Sequence, residues 1–193
     1  MTVIFDLGGV LVNLDWDKVC AKLQQHSNAD DVRTEVINGP IVRSAMEGYL
    51  NPRAYHEALC QKLKANLTYD EFVDIWNGLL SANEFIVPLV ERLKVDHRLI
   101  LASNTDPIHF AYSVEHFPVL KNFERYFLSC EMRLLKPDPA YYRNVLDTLD
   151  VPAGDCIFID DRAENVEAAR GVGIASIRFM SVDQLERDLR TIL

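Results

Sequence analysis

The chain has 193 residues, 49% of them hydrophobic, enough to bury the core of one α/β domain with a modest insertion. Twenty Lys and Arg against 29 Asp and Glu give a net charge of −9 with no dense basic cluster, which excludes a nucleic-acid footprint. An anionic small substrate must then be drawn in by a local positive site, against the overall charge. No apolar run approaches a membrane span, and Asp6 interrupts the N-terminal apolar stretch that a signal peptide would need unbroken. The four dispersed cysteines, Cys20, Cys60, Cys130 and Cys156, form no CxxC pair and read as free, largely buried thiols in a reducing compartment. A soluble cytoplasmic protein is expected, its monomeric or dimeric state left open.

The first apolar run, TVIF at 2–5, ends in Asp6 and is followed by Gly8 and Gly9. Residues 15–82 contain no convincing strand but several helical patterns, with helix starts at Asn51-Pro52 and at Thr68-x-x-Glu71. Three or four helices inserted after the first strand are expected there. Strand-like runs resume with LILA (99–102), YFLS (126–129), CIFI (156–159) and IASI (174–177). Their continuous hydrophobicity suits a parallel sheet covered on both faces. Asp138-Pro139 opens a helix that carries Tyr141, Val145 and Leu149 on one face, and Ser181 to Gln184 has capping-box spacing before the last helix. The predicted class is α/β, a doubly wound parallel sheet, with 1–14 and 83–193 as the core and 15–82 as the helical insertion.

In such a sheet, side chains beyond the carboxyl ends of the strands converge on one crevice. Here those ends carry Asp6, then Ser103-Asn104-Thr105, then Lys136 in the loop LLKPDP, then Asp160-Asp161 followed by Asn165. Singly, each has a structural use, as a turn cap, a helix cap, a surface lysine or a capping pair. Together they make a kit for phosphoryl transfer. A phosphate carries about two negative charges near neutral pH and repels an anionic nucleophile unless that charge is offset. Asp6 with the acidic pair can hold Mg²⁺, a hard cation that prefers oxygen ligands. Lys136 and the metal neutralise the phosphoryl oxygens, Ser103 and the amides after it donate hydrogen bonds, and Asp6 is free to attack phosphorus. Gly8 and Gly9 let the main chain approach the phosphate and offer a carbonyl, at Gly8, to the metal.

The stretches IFDLGGVLVNLD, LASNTD, LLKPDPAYYRNVL and IFIDDRAENVEAARGVGI, in this order, resemble the haloacid dehalogenase (HAD) superfamily of phosphohydrolases. MEGYLNPRAYHEAL looks like that family's small helical cap. The resemblance implies a Rossmann-like core, a cap at 15–82 closing over small phosphorylated metabolites, and Mg²⁺ as cofactor. It assigns Asp6 as nucleophile and metal ligand, the Gly8 carbonyl and Asp161 as further ligands, and Asp160 as a nearer or indirect partner. Ser103 and Asn104 hold the phosphoryl group, Lys136 steadies nucleophile and phosphate, and Asn165 organises the loop. The DxG and DD-x-x-x-N forms look most like the sugar-phosphatase branch that includes α-D-glucose-1-phosphate phosphatase.

Two departures stand out. Family phosphatases usually carry a general-acid Asp where this chain has Gly8; Asp15 and Asp17 are the substitutes considered. Related sequences often have a glycine near Arg133, so the Lys136 loop is open to a different course. The loss at Gly8 keeps an alternative alive, a weakly active or inactive phosphate- and Mg²⁺-binding regulatory protein. A 2-haloacid dehalogenase is a third reading, disfavoured by the retained Asp160-Asp161. The five histidines show no metal-binding spacing; His109 reads as a helix-surface residue that could touch substrate, and Trp16 and Trp76 as cap packing that could line a pocket.

Overall fold

The computed structural model describes all 193 residues, the side chain of Asn38 excepted. Five strands form one parallel sheet: β1 (Thr2–Phe5), β4 (Arg98–Ser103), β5 (Arg125–Leu128), β6 (Cys156–Asp160) and β7 (Ala175–Arg178), in the spatial order β5-β4-β1-β6-β7. These are the five apolar runs expected from the sequence. Alternate residues face opposite sides of the sheet. Val3, Phe5, Leu99, Leu101, Ile157 and Ile159 pack under α6 (Val87–Asp96) and α11 (Val182–Ile192). Ile4, Ile100, Ala102 and Phe158 pack under α9 (Pro139–Leu149) and α10 (Ala163–Gly171). Both faces are dry, which is why the runs are continuous rather than alternating.

β1 lies between β4 and β6, with Phe5 opposite both Leu101 and Ile159. This register sets Asp6, the next residue, level with the ends of its two neighbours. The chain turns one way from β1 to β4 and the other way to β6, so the crevice opens at Asp6.

The segment after β1 departs from expectation. Residues 12–14 form β2 (Val12–Leu14), which pairs antiparallel with β3 (Leu80–Ala82), so a strand lies inside the stretch read as strand-free. Between these two short strands run five helices rather than three or four: α1 (Trp16–Gln25), α2 (Val32–Asn38), α3 (Pro40–Met46), α4 (Pro52–Leu63) and α5 (Tyr69–Asn77). The extra helix arises where Gly39-Pro40 divides α2 from α3, with the proline at the first position of the new helix. Asn51 and Thr68 cap α4 and α5 as their sequence contexts imply, and the Thr68–Glu71 capping box is complete. The insertion has its own apolar core, including Val19, Leu23, Tyr55, Leu59, Phe72 and Trp76, and Ile108 of α7 (Pro107–His116) joins it from the sheet side. Cys20 and Cys156 are buried, Cys60 and Cys130 half-buried, and all four are free thiols. No helix among the described residues is long and apolar enough to cross a membrane.

Candidate active site

Asp6 leaves β1 with its N–H donated to the Ile159 carbonyl, and the turn places the Leu7 N–H on its own Oδ1 at 2.7 Å. Lys136 Nζ reaches the same Oδ1 at 2.9 Å. Among the described residues Oδ2 accepts no hydrogen bond. The lysine is buried and fully engaged, donating also to Asp160 Oδ2 at 2.7 Å and to the Ala102 carbonyl at 2.8 Å. Burial pulls its pKa down, but the charges of Asp6 and Asp160 outweigh that and raise it, so the ammonium persists.

The acidic pair divides in two. Asp160 is wholly buried, and its oxygens accept from Lys136, from Asn165 Nδ2 at 3.0 Å twice, and from the Arg162 N–H at 2.9 Å. Asp161 is half-buried and faces Gly9, where an added Cβ would lie 2.5 Å from its Oδ2. Oxygens of Asp6, Asp160 and Asp161 lie within 4.8 Å of one another. Burial raises the Asp6 pKa to about 7, with Asp160 and Asp161 pushing up and Lys136 pulling down; Asp161 is raised by burial and by Asp160. Three carboxylates sharing one ammonium leave excess negative charge in a dry corner, and an all-oxygen set of this kind fits a hard divalent cation.

Ser103 is buried at the end of β4. Asn104, expected at the phosphate, spends its side chain elsewhere: Oδ1 accepts the Lys136 N–H at 2.9 Å and Nδ2 donates to the Lys136 carbonyl at 2.8 Å. What Asn104 can still offer an anion is its main-chain amide. Arg133, near which a glycine was expected from the resemblance, sits at φ 56°, ψ 29°, a left-handed backbone that glycine would adopt without strain. Its guanidinium lies 5.5 Å from the Tyr49 ring, which ties the Lys136 loop to the insertion.

Neither substitute for the acid missing at Gly8 reaches the site. Asp15 caps α1 by accepting from Lys18 N at 3.0 Å, and Asp17 pairs with Arg33 on the surface. His109 is the opposite case, buried rather than on a helix surface. Its Nδ1 is 3.0 Å from Asp106 Oδ2 and its Nε2 is 2.9 Å from the Trp76 carbonyl. Trp76 Nε1 donates to the same Asp106 oxygen at 3.0 Å, and its ring stacks on the imidazole with centroids 4.9 Å apart. Sequence reasoning passed over Asp106; its one local signal, Asp106-Pro107, marks the cap of α7, which it is. A cavity of about 90 Å³ lies beside Gly8 and Ser103, between this network and the insertion, and Trp16 and Trp76 both line it.

A family model described as haloacid dehalogenase-like hydrolase matches residues 1–173. A solved HAD family enzyme from Bacteroides thetaiotaomicron, bt-2542, in complex with magnesium and inorganic phosphate, superposes with a TM-score of 0.87 at 24% identity, covering 95% of this chain and 98% of that one. The D-ribitol-5-phosphate phosphatase of the same organism is 23% identical over 200 residues, 99% of this chain and 97% of the relative. Drimenol cyclase drtB of Aspergillus calidoustus is 26% identical over 200 residues, 98% of this chain but 36% of that protein. The chain thus spans about a third of that curated relative's length.

Proposed function

The chain belongs to the haloacid dehalogenase-like hydrolase family, and on that footing we propose that it is a Mg²⁺-dependent phosphatase that hydrolyses a small phosphorylated metabolite through an aspartyl-phosphate on Asp6. The observation that carries this reading is Lys136, a buried ammonium between Asp6 at 2.9 Å and Asp160 at 2.7 Å, which holds one Asp6 oxygen and leaves the other without a protein donor. In the first step that carboxylate attacks phosphorus, an Asp6 O–P bond forms, and the ester P–O bond breaks with the electron pair leaving on the alcohol oxygen, which takes a proton from solvent. In the second, water attacks the acyl phosphate and gives up a proton to solvent, inorganic phosphate departs and the Asp6 carboxylate is regenerated. Ser103 and the amide of Asn104 hold phosphoryl oxygens while Lys136 offsets their charge. Asp6, Asp161 and the Gly8 carbonyl would hold Mg²⁺, which would supply positive charge against the phosphoryl oxygens when bound. Asp160, saturated by Lys136, Asn165 and Arg162, sets the lysine rather than taking a primary place on the metal.

The helical insertion, in this reading, is a cap over the phosphoryl group. Support comes from its contact with α7 through Trp76 and from the cavity enclosed between the two. The test is phosphate release from a panel of phosphomonoesters, glucose 1-phosphate among them, with Mg²⁺ present. Asp6→Asn is expected to abolish release and EDTA to stop it reversibly; turnover that survives the substitution overturns the covalent route.

One observation favours a second reading. No carboxylate stands at Gly8, and Leu14 fills the space beside it, 3.1 Å from where a Cβ would sit. A regulatory protein that binds Mg²⁺ and phosphate without useful turnover would form a lasting adduct with BeF₃⁻ or acetyl phosphate and release no phosphate.

A further inference from the structure

The cavity beside Ser103 has an unusual wall for a site that takes a sugar. On the insertion side it is lined by Leu14, Trp16, Val42, Met46, Trp76 and Leu79. The two ionisable groups on the core side, Asp106 and His109, have no capacity left for a ligand. Asp106 Oδ1 accepts the Ile108 and His109 N–H groups at 2.9 and 3.1 Å, and Oδ2 accepts from Trp76 Nε1 at 3.0 Å and from His109 Nδ1 at 3.0 Å. The other imidazole nitrogen is taken by the Trp76 carbonyl. Of the other polar residues in the lining, Asn104 spends its side chain on the Lys136 main chain, Thr105 Oγ1 donates to the Asp106 carbonyl, and Ser103 lies at the phosphoryl end. A polyol entering beyond Ser103 would bury hydroxyls mostly against methyl groups and rings, and each one left unpaired weakens binding by about tenfold. The apolar wall continues to Gly8, where the neighbouring space is filled by the end of Leu14.

Resting on the phosphatase reading above, we infer that the alcohol part of the substrate is a short apolar group, so that the enzyme selects alkyl or alkenyl monophosphates over sugar phosphates. Size follows from the cavity. An apolar cavity of about 150 Å³ takes a benzene molecule, and one of about 90 Å³ scales to about four carbons. The phosphoryl group occupies the Asp6, Ser103 and Lys136 end, and the carbon chain extends between Leu14 and α3 of the insertion. Met46 and Val42, both on α3, are then specificity residues, since they meet the chain at its far end.

Binding of alkyl phosphonates, which cannot be hydrolysed, tests this with Mg²⁺ present. Each buried methylene is worth about fourfold in affinity, so calorimetry should find n-butylphosphonate about fiftyfold tighter than methylphosphonate. Met46→Asn should cut that preference at least about fivefold while methylphosphonate binding holds. Should that variant fail to fold, Trp16→Gln on α1 carries the same expectation. Equal affinities of the two phosphonates overturn the inference. In turnover, n-butyl phosphate should exceed glucose 1-phosphate in kcat/KM; the reverse order sinks the apolar substrate but leaves the phosphatase standing. Absence of phosphate release from both esters and from acetyl phosphate removes the phosphatase reading itself, and the phosphonate ratio still decides what the cavity prefers.

Discussion

Asn104 grips Lys136 by both of its main-chain polar groups, accepting the N–H at 2.9 Å and donating to the carbonyl at 2.8 Å. A strand-end side chain thereby fixes the loop from which the ammonium reaches Asp6 and Asp160. Two part-buried backbone groups would lose their partners in Asn104→Ala, and the lysine would lose its anchor. Misplacement of a catalytic group by about 1 Å can cost about a hundredfold in rate. We expect kcat for Asn104→Ala to fall by that order while the fold, read by circular dichroism, persists. A rate within about twofold of the parent would show that the clamp does not position Lys136.

Gly9 and Gly8 make contrasting demands although they are adjacent. Gly9 has φ +75°, and a Cβ there would lie 2.5 Å from Asp161 Oδ2. Gly9→Ala must therefore strain the turn and push the Asp161 carboxylate away. Loss of a partner that orients a metal ligand typically weakens metal binding about 10- to 100-fold, and a similar loss of Mg²⁺ affinity is expected by calorimetry. At Gly8 the added methyl meets only the flexible end of Leu14 at 3.1 Å, which can yield. Gly8→Ala should bind Mg²⁺ with affinity close to the parent. Equal effects of the two substitutions would mean that Asp161 stands apart from the metal.

The core sheet was legible because both its faces are buried, so each strand is written as an unbroken apolar run that ends at a polar residue. Asp6, Lys136 and Asp160 meet because those ends share one edge, which topology alone implies. β2 and β3 were not legible: three residues with burial alternating along Val12, Asn13 and Leu14 are too few to show a period. Gly39-Pro40, which divides α2 from α3, carries the same kind of helix-start signal as Asn51-Pro52 but was not among the starts read from the sequence. Tertiary contacts hid the rest. Asn104 partners a backbone 32 positions away, and Asp106 a tryptophan 30 positions away, so neither side chain's role has a local signature.

Gly48 seats the insertion on the core. It has φ +74°, and a Cβ there would come within 1.9 Å of the Cys130 carbonyl oxygen, so the two backbones are in direct contact. A left-handed backbone costs a non-glycine residue roughly 1–2 kcal/mol, and the clash adds to that. Gly48→Ala should lift residues 46–50 from the core and expose the α8 (Ser129–Met132) main chain. Hydrogen exchange should show faster labelling in both segments, with α9 and α10 unchanged. Uniform protection would place the contact outside what holds the insertion down.

His109 faces two groups that can only accept, the Asp106 carboxylate and the Trp76 carbonyl, so its ring is satisfied only when both nitrogens carry protons. Burial alone would lower its pKa, but Asp106 more than compensates and raises it; burial would raise Asp106, and His109 and Trp76 together bring it below its ordinary value. The sign for stability follows. The imidazolium contribution is complete below the unfolded histidine value, about 6.5, and fades as pH climbs through the raised folded value. The carboxylate contribution is present above about 3.9 and fades as pH falls through the lowered one. Removing one member of a buried pair costs about 3 kcal/mol, worth about 9 °C in Tm for a chain of this size. The Tm gap between parent and His109→Gln should therefore be widest at about pH 5–6 and narrow steadily above that. A gap that widens with rising pH would mean that the folded protein holds His109 neutral, with the Trp76 carbonyl or Asp106 left short of a proton.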